Sequence, residues 1–580
     1  MISLIILQLP HCLVIMTDSM PCLEGECGVR VKTRLFKTIT FLAGFLAGMD
    51  ASAQDAASPG TVSDQYRIGI DVQSGKLSVH AHLANLASSE ICCLPAFGQR
   101  IGERLSQPRI KNAQNTDVPV SIDDSGCFSM PNALPDLFVS YDLTIDGLPE
   151  DRVWLASELS PLHRGQLIAF PGESLFIERH ARETTQINQK THVQIQTNEQ
   201  VVSTLSLDES SSGGDNGIAF VAADKYELVR SYWTFGKQRI VTASSGRMSF
   251  ILSIADDWTF PVESVERELI QILDDYDNWL GRRTPEHISI YMFNAPHDAD
   301  YHHGFARRGG LILQMGRYAS SNAAVRRILV AHELFHLYNG EGLQYEPDDY
   351  AATAWMREGM TQYLALKSLV RMGLIKQSDV NDWMGQSLER NHQSAQTHRK
   401  SPETAYHRGY FLSYAIDTQW SLYQTSLSLE GFWQFLAQSD SWTQLHNNAS
   451  IQKQLELYSG FDFSTFFNQF IYGQQPVPVK EILKVSGLCT EKYKYATNTA
   501  GLSYTFKPDD AHLYVDHVDP NGAAKLAGLR VGDIIVPQKD TSWQDNRDKH
   551  LRVIRKDKQM QVRIPVINVI TNGVKVGMCK

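Results

Sequence analysis

The chain lacks the concentrated positive charge by which proteins hold nucleic acid or anionic lipid. Its 54 lysines and arginines face 64 aspartates and glutamates, giving a formal net charge of −10 with no long basic run. Neither nucleic acid nor an anionic membrane is therefore an expected partner. Cysteine is scarce, eight in 580 residues, and none has the paired spacing of a zinc finger. There is no internal repeat and no low-complexity tract, which excludes solenoids and arrays. No apolar run reaches the ~20 residues of an ordinary spanning helix. What remains is a composition of 43% hydrophobic and 20% charged residues, typical of ordered globular chains. The length is too great for one core, and about two to four domains are expected.

Two apolar pieces open the chain. The second follows the basic stretch "VRVKTRLFK", runs as "TITFLAGFLAG" and ends in "ASA" before Gln54. That order is the layout of a secretory signal, so residues 1–53 are read as a signal region cleaved after Ala53. Residues 1–28 precede the basic stretch and read as an overlong start, with a natural start near Val29 or Val31. The expected location is secreted or periplasmic, with no stable membrane anchor after cleavage; the alternative is an anchor made by the two apolar pieces. Beyond Ala53 lie Cys92, Cys93, Cys127, Cys489 and Cys579. An exported chain can oxidise them, Cys489 with Cys579 and Cys127 with either Cys92 or Cys93, leaving one thiol over.

Three compositional regions follow. Residues 64–250 carry short period-two runs such as "YRIGIDV" and "KLSVHAHL" and read as a β-rich domain. Residues 251–484 shift to helical spacing, interrupted by the strand-like "ISIYMFN" and "GGLILQM". Residues 485–580 return to strands. The expected fold class is multidomain α+β.

The middle region contains "AHELFHLYNG", residues 331–340. His332 and His336 lie one helical turn apart, so both imidazoles can reach one point. Two histidines at this spacing with a glutamate between them suit one catalytic Zn²⁺ per chain, with Glu333 as the base that takes a proton from water. A third ligand is required. Glu358, in "WMREGMTQY" and 22 positions after His336, is the candidate, on a second helix that a tight connection packs against the first. A third histidine six positions on, as in metzincins, is absent. The bland alternative is a set of polar residues on two surface helices.

"HELFHLYN" followed by "WMREGMTQYLALKSLVRMGLI" resembles the glycyl aminopeptidase family, a branch of the thermolysin-like gluzincins. "IAFVAADKYELVRSYWTFGK" (218–237) and "AYHRGYFLSYAID" (405–417) add to the likeness. The resemblance implies a thermolysin-like, mainly helical zinc-peptidase domain over residues 251–484. It implies His332, His336 and Glu358 as ligands and Glu333 as general base. It also implies Tyr406, of the Tyr-x-x-Gly segment, as hydrogen-bond donor to the oxyanion; the alternative is a half-buried structural tyrosine. Substrates would be peptides or proteins, and the activity that of an aminopeptidase.

In related aminopeptidases a Gly-rich segment with an acid precedes the zinc helix and holds the substrate's amino group. Here residues 302–330 contain no Asp or Glu but carry Arg307, Arg308, Arg317, Arg326 and Arg327. Arginines facing the substrate would repel an ammonium and attract a carboxylate; the alternative is that most of them are simply solvated. Gly309, Gly310 and Leu311 open a strand expected at the sheet edge, where it would pair with an extended peptide. "LYVDHVDPNGAAKLAGLRVGDIIV" (513–536) resembles a PDZ domain, with Gly528 and Gly532 in tight turns and Asp533 as a turn residue. Gly501 and Leu502 would then form a loop that binds a peptide C-terminus. A second class of function stays open: a catalytically weak or inactive PDZ-based adaptor that keeps the zinc helices as scaffold.

Overall fold

The computed structural model describes residues 63–579 apart from loop stretches, the longest being 96–104, 146–160, 181–189, 209–216, 295–301, 316–321, 341–350, 439–446 and 537–547. The signal region expected at residues 1–53 lies outside the described residues. Among the described residues, no helix is long and apolar enough to cross a membrane.

The period-two runs form strands whose alternate side chains are buried. Asp64–Asp71 and Lys76–Leu86 pair antiparallel, with Ile68 opposite Val79, in a seven-stranded sheet. A four-stranded sheet containing Leu167–Pro171 and Tyr232–Gly236 shares one apolar core with it. A three-stranded sheet joins Ile91–Cys93 to Cys127–Ser129 and Glu178–His180. There Cys93 pairs with Cys127, which leaves Cys92 as the buried free thiol.

One ion cluster holds this domain's layers together. The buried Arg179 guanidinium donates to Asp64 at 2.7 Å and to Glu90 at 2.7 Å. Burial pushes the Glu90 carboxyl up, but hydrogen bonds and charge from Arg179 outweigh it and hold it below its ordinary value. A depressed carboxyl adds stability above its unfolded pKa of about 4.3, and that stability is lost as pH falls through the folded value. Arg179→Leu is expected to strand two buried carboxylates and to cost about 3–5 kcal/mol, read as a lower denaturant midpoint. Unchanged stability near neutral pH would show that the cluster contributes nothing.

A further sheet, of the middle region, is mixed, with five strands: β1 (Gln238–Ser245), β2 (Met248–Ala255), β3 (His287–Asn294), β4 (His302–Arg307) and β5 (Gly310–Met315). Their order is β1-β2-β3-β5-β4. This sheet starts at Gln238, ahead of the composition change at residue 250, because a hairpin adds β1 and β2 to strands that follow the first long helix. A buried cluster including Val202, Tyr232, Tyr291 and Ile312 joins it to the N-terminal sheets, and Tyr291 Oη donates to the Tyr232 carbonyl at 3.0 Å.

Five helices matter for the site: α1 (Val262–Leu280), α2 (Ala323–Phe335), α3 (Thr361–Arg371), α4 (Gln377–Thr397) and α5 (Pro402–Leu422). They share the largest core with β2, β3 and β5. A π-turn, Trp355–Met360, runs directly into α3.

The C-terminal region is a ribbon of Leu488–Asn498 with Asn568–Met578, closed by Cys489–Cys579, and a five-stranded antiparallel sheet. Gly528 and Gly532 take φ +83° and +89°, as their turns require. Asp533 is a buried structural acid that accepts from Arg555 at 2.6 Å and from the Arg530 backbone at 2.9 Å. The ribbon packs on α4, where Val574 N donates to Glu389 at 2.6 Å and the Val574 carbonyl faces Gly385 with no room for a Cβ.

Candidate metal centre and active site

The helix α2 begins at Asn322, whose side chain accepts from the Ala324 and Val325 backbones. It is anchored to α1 by buried Glu268, which accepts from Arg326 at 2.9 Å and from Arg327 at 2.9 Å. Tyr276 of α1 donates to the Ala331 carbonyl at 2.8 Å, one residue before the first histidine. The helix ends at Phe335, and His336 follows in still-helical geometry at φ −63° and ψ −20°. His332 and His336 therefore keep their one-turn relation.

Glu358 arrives on the π-turn. Asn339, fully buried, donates to the Met356 carbonyl at 3.0 Å and to Thr361 Oγ1 at 3.0 Å, tying the end of the histidine helix to the turn. The turn also lies backbone to backbone on α5. A Cβ on Gly359 would sit 2.2 Å from Gly409 Cα, and one on Gly409 would sit 2.2 Å from the Trp355 carbonyl. Only glycine fits at both places. This is the role of the glycine in Tyr-x-x-Gly: it lets α5 approach closely enough for Tyr406 to reach the site.

The donor atoms converge. His332 Nε2 and His336 Nε2 lie 3.0 Å apart, and 3.4 Å and 3.3 Å from Glu358 Oε2. His336 Nδ1 donates to the Asn339 carbonyl at 2.8 Å, which turns Nε2 inward. Burial disfavours the His336 cation, but the Glu358 carboxylate more than offsets it and raises the pKa to about 9. Burial likewise opposes the Glu358 charge, and His336 and His332 overcome it and hold that carboxyl well below its usual range. Glu358 Oε2 is buried and accepts no hydrogen bond. Two imidazoles and one carboxylate, with an orphaned oxygen between them, fit a divalent cation of the zinc type.

Glu333 is buried beside the cluster. Burial pushes its carboxyl above the ordinary range, against the pull of His336 and His332. A residue not singled out by its chemistry sets its position: a Cβ on Gly304 of β4 would lie 2.3 Å from Glu333 Cγ and 2.8 Å from its Oε1. The only sequence signal was a glycine inside a strand, the mark of a close approach. Gly304→Ala should push the carboxylate aside. It is expected to lower kcat by ~10²-fold with metal content and melting temperature unchanged, because a displacement of about 1 Å in a catalytic group has that order of effect. Wild-type kcat in that variant would show that the contact has no bearing on catalysis.

Tyr406 stacks on His332 with ring centroids 5.4 Å apart. Burial, with the Glu358 and Glu333 carboxylates, raises its pKa well above 10, so it remains a proton donor. A cleft of about 550 Å³ opens over these groups, lined by Gly304, His332, Glu333, Gln362 and Tyr406 on one side and by α4 on the other.

Other expected site residues lie elsewhere. Gly309, Gly310 and Leu311 are buried away from the cleft, with Gly309 and Gly310 against Thr204. Their strand β5 is paired on both sides, so the sheet's free edge by the cleft is β4. The described arginines of this segment do not face the site. Arg307 pairs with Glu173, Arg308 with Asp224, and Arg326 and Arg327 with Glu268; Arg317 lies outside the described residues. Gly501 and Leu502 sit at the start of an edge strand of the C-terminal sheet, where Gly501 takes φ +64°.

Residues 326–458 match the model of the M61 glycyl aminopeptidase family, which relates the segment bearing His332, His336 and Glu358 to metallopeptidases. The C-terminal sheet lies outside that match. No curated protein matches the chain. Among solved structures, it is similar to an aminopeptidase N family protein from Idiomarina loihiensis at 15% identity and TM-score 0.66, covering 89% of this chain and 98% of that one. An M1 zinc metallopeptidase from Deinococcus radiodurans matches at 11% identity and TM-score 0.47, covering 72% of this chain and 95% of that one. The first likeness establishes a shared fold along most of the chain.

Proposed function

We propose that the chain is an exported zinc-dependent peptidase. The observation that carries this reading is the convergence of His332, His336 and Glu358, with buried Glu333 beside them and with His332 and Glu333 lining one cleft. The two disulfides fit an oxidising compartment, which supports export. A zinc ion, when bound, would be held by His332, His336 and Glu358 and would supply Lewis acidity at the water and the scissile carbonyl. Glu333 takes the proton from the attacking water and passes it to the leaving amine. Tyr406, neutral and donor-ready, gives a hydrogen bond to the oxyanion. The free edge of β4 aligns the extended peptide backbone. The C-terminal sheet, with its own open edge at Leu502–Lys507, is a candidate peptide-binding module of PDZ type.

The test is digestion of a mixed peptide library, with free and acetylated N-termini, by zinc-loaded protein. Cleavage confined to free N-termini identifies an aminopeptidase, and equal cleavage of both identifies an endopeptidase. No cleavage at full zinc occupancy would overturn the proposal and favour the adaptor reading.

A further inference from the structure

The face of α4 toward the cleft carries Asp379, Asp382, Trp383, Gln386 and Ser387, spaced as one helical stripe. Among the described residues, the cleft lining includes no lysine or arginine. The nearby arginines described above are paired with other acids away from the cleft. The charge on the α4 wall of the cleft is therefore that of two carboxylates. Between and beside them lies Trp383, half-buried, with its ring packed 4.6 Å from Tyr410 and 5.7 Å from His407. An indole fixed beside two carboxylates is a cation-binding arrangement, by charge and by the ring face together.

A second observation points to an occupant. Gln362 follows Glu358 by one helical turn, is only 6% exposed, and lines the same cleft. Its Nε2 is buried without a hydrogen-bond partner. A buried amide donor of this kind is satisfied by a ligand carbonyl. The cleft thus offers, in one lining, a donor for a peptide carbonyl and acceptors for a cation.

We infer that Asp379, Asp382 and Trp383 select substrates carrying an ammonium or guanidinium, either the free α-amino group or a basic side chain. The inference rests on the peptidase reading for the identity of the ligand as a peptide. It supplies the acidic anchor that residues 302–330 lack, from a later helix in the chain.

The test separates binding from turnover. Zinc-loaded E333Q protein is titrated calorimetrically with three matched peptides: acetylated with one lysine, acetylated with norleucine in its place, and norleucine-bearing with a free N-terminus. At least one cationic peptide should bind about tenfold more tightly than the neutral one, the scale of a charge-assisted contact. The arm that shows the preference names the source of the cation. The D379N/D382N pair, in which asparagine at 379 can still accept from the Lys376 backbone, should bring that ratio close to one. Equal affinity for all three peptides, no binding of any, or an equal loss for all three in the double variant would overturn the inference. Failure of the peptidase reading appears separately, as no cleavage by the zinc-loaded wild type while the binding preference persists.

Discussion

Replacing Glu333 with glutamine is expected to leave the metal in place and lower kcat by ~10²–10⁴-fold, the usual contribution of a general base. The geometry gives the reason. Glu333 lies next to His332 in the chain but is not part of the ligand cluster, so its loss removes no donor. Glutamine nearly matches its shape, so the tight contact with Gly304 is retained. Only the capacity to take and return a proton is lost. The measurement is steady-state turnover alongside metal content by native mass spectrometry. Activity within a few-fold of wild type would remove Glu333 from the proton path. Loss of metal would instead make it part of the binding site.

The Glu358→Ala change is expected to act in the opposite way, by releasing the metal. His332 and His336 would remain as two of three donors, and a catalytic zinc site ordinarily needs all three protein ligands. The fold should survive, because the π-turn is held by Asn339 and by the Gly359–Gly409 contact rather than by the carboxylate. After dialysis the variant should hold far less than one equivalent of zinc, and activity should fall with it. Full occupancy in Glu358→Ala would exclude this residue as a ligand. A chelator should abolish wild-type activity and added zinc restore it.

Much of the site was legible because its determinants are periodic. A four-residue spacing puts two histidines on one face whatever surrounds them, and Glu358 stood out as an acid beside a glycine on the following helix. The period-two runs became strands for the same reason. What depended on three-dimensional placement was harder. The arginines of residues 302–330 read as mostly solvated, or else as facing the substrate, yet their partners Glu173, Asp224 and Glu268 lie far away in sequence. The strand at residues 309–315 reads as the sheet edge, but β4 adds on outside it. Gly304 shows itself only once the distance to Glu333 is known. Asp379 and Asp382 sit in a helix whose local sequence does not say that its face lines the same cleft as His332 and Glu333.

The ribbon strand Asn568–Met578 braces the back of α4 through Val574, while the front of α4 forms one wall of the cleft. That arrangement fixes an order of assembly. His332, His336 and Glu358 are made more than two hundred residues before that strand, so a growing chain carries all three long before α4 is braced from behind.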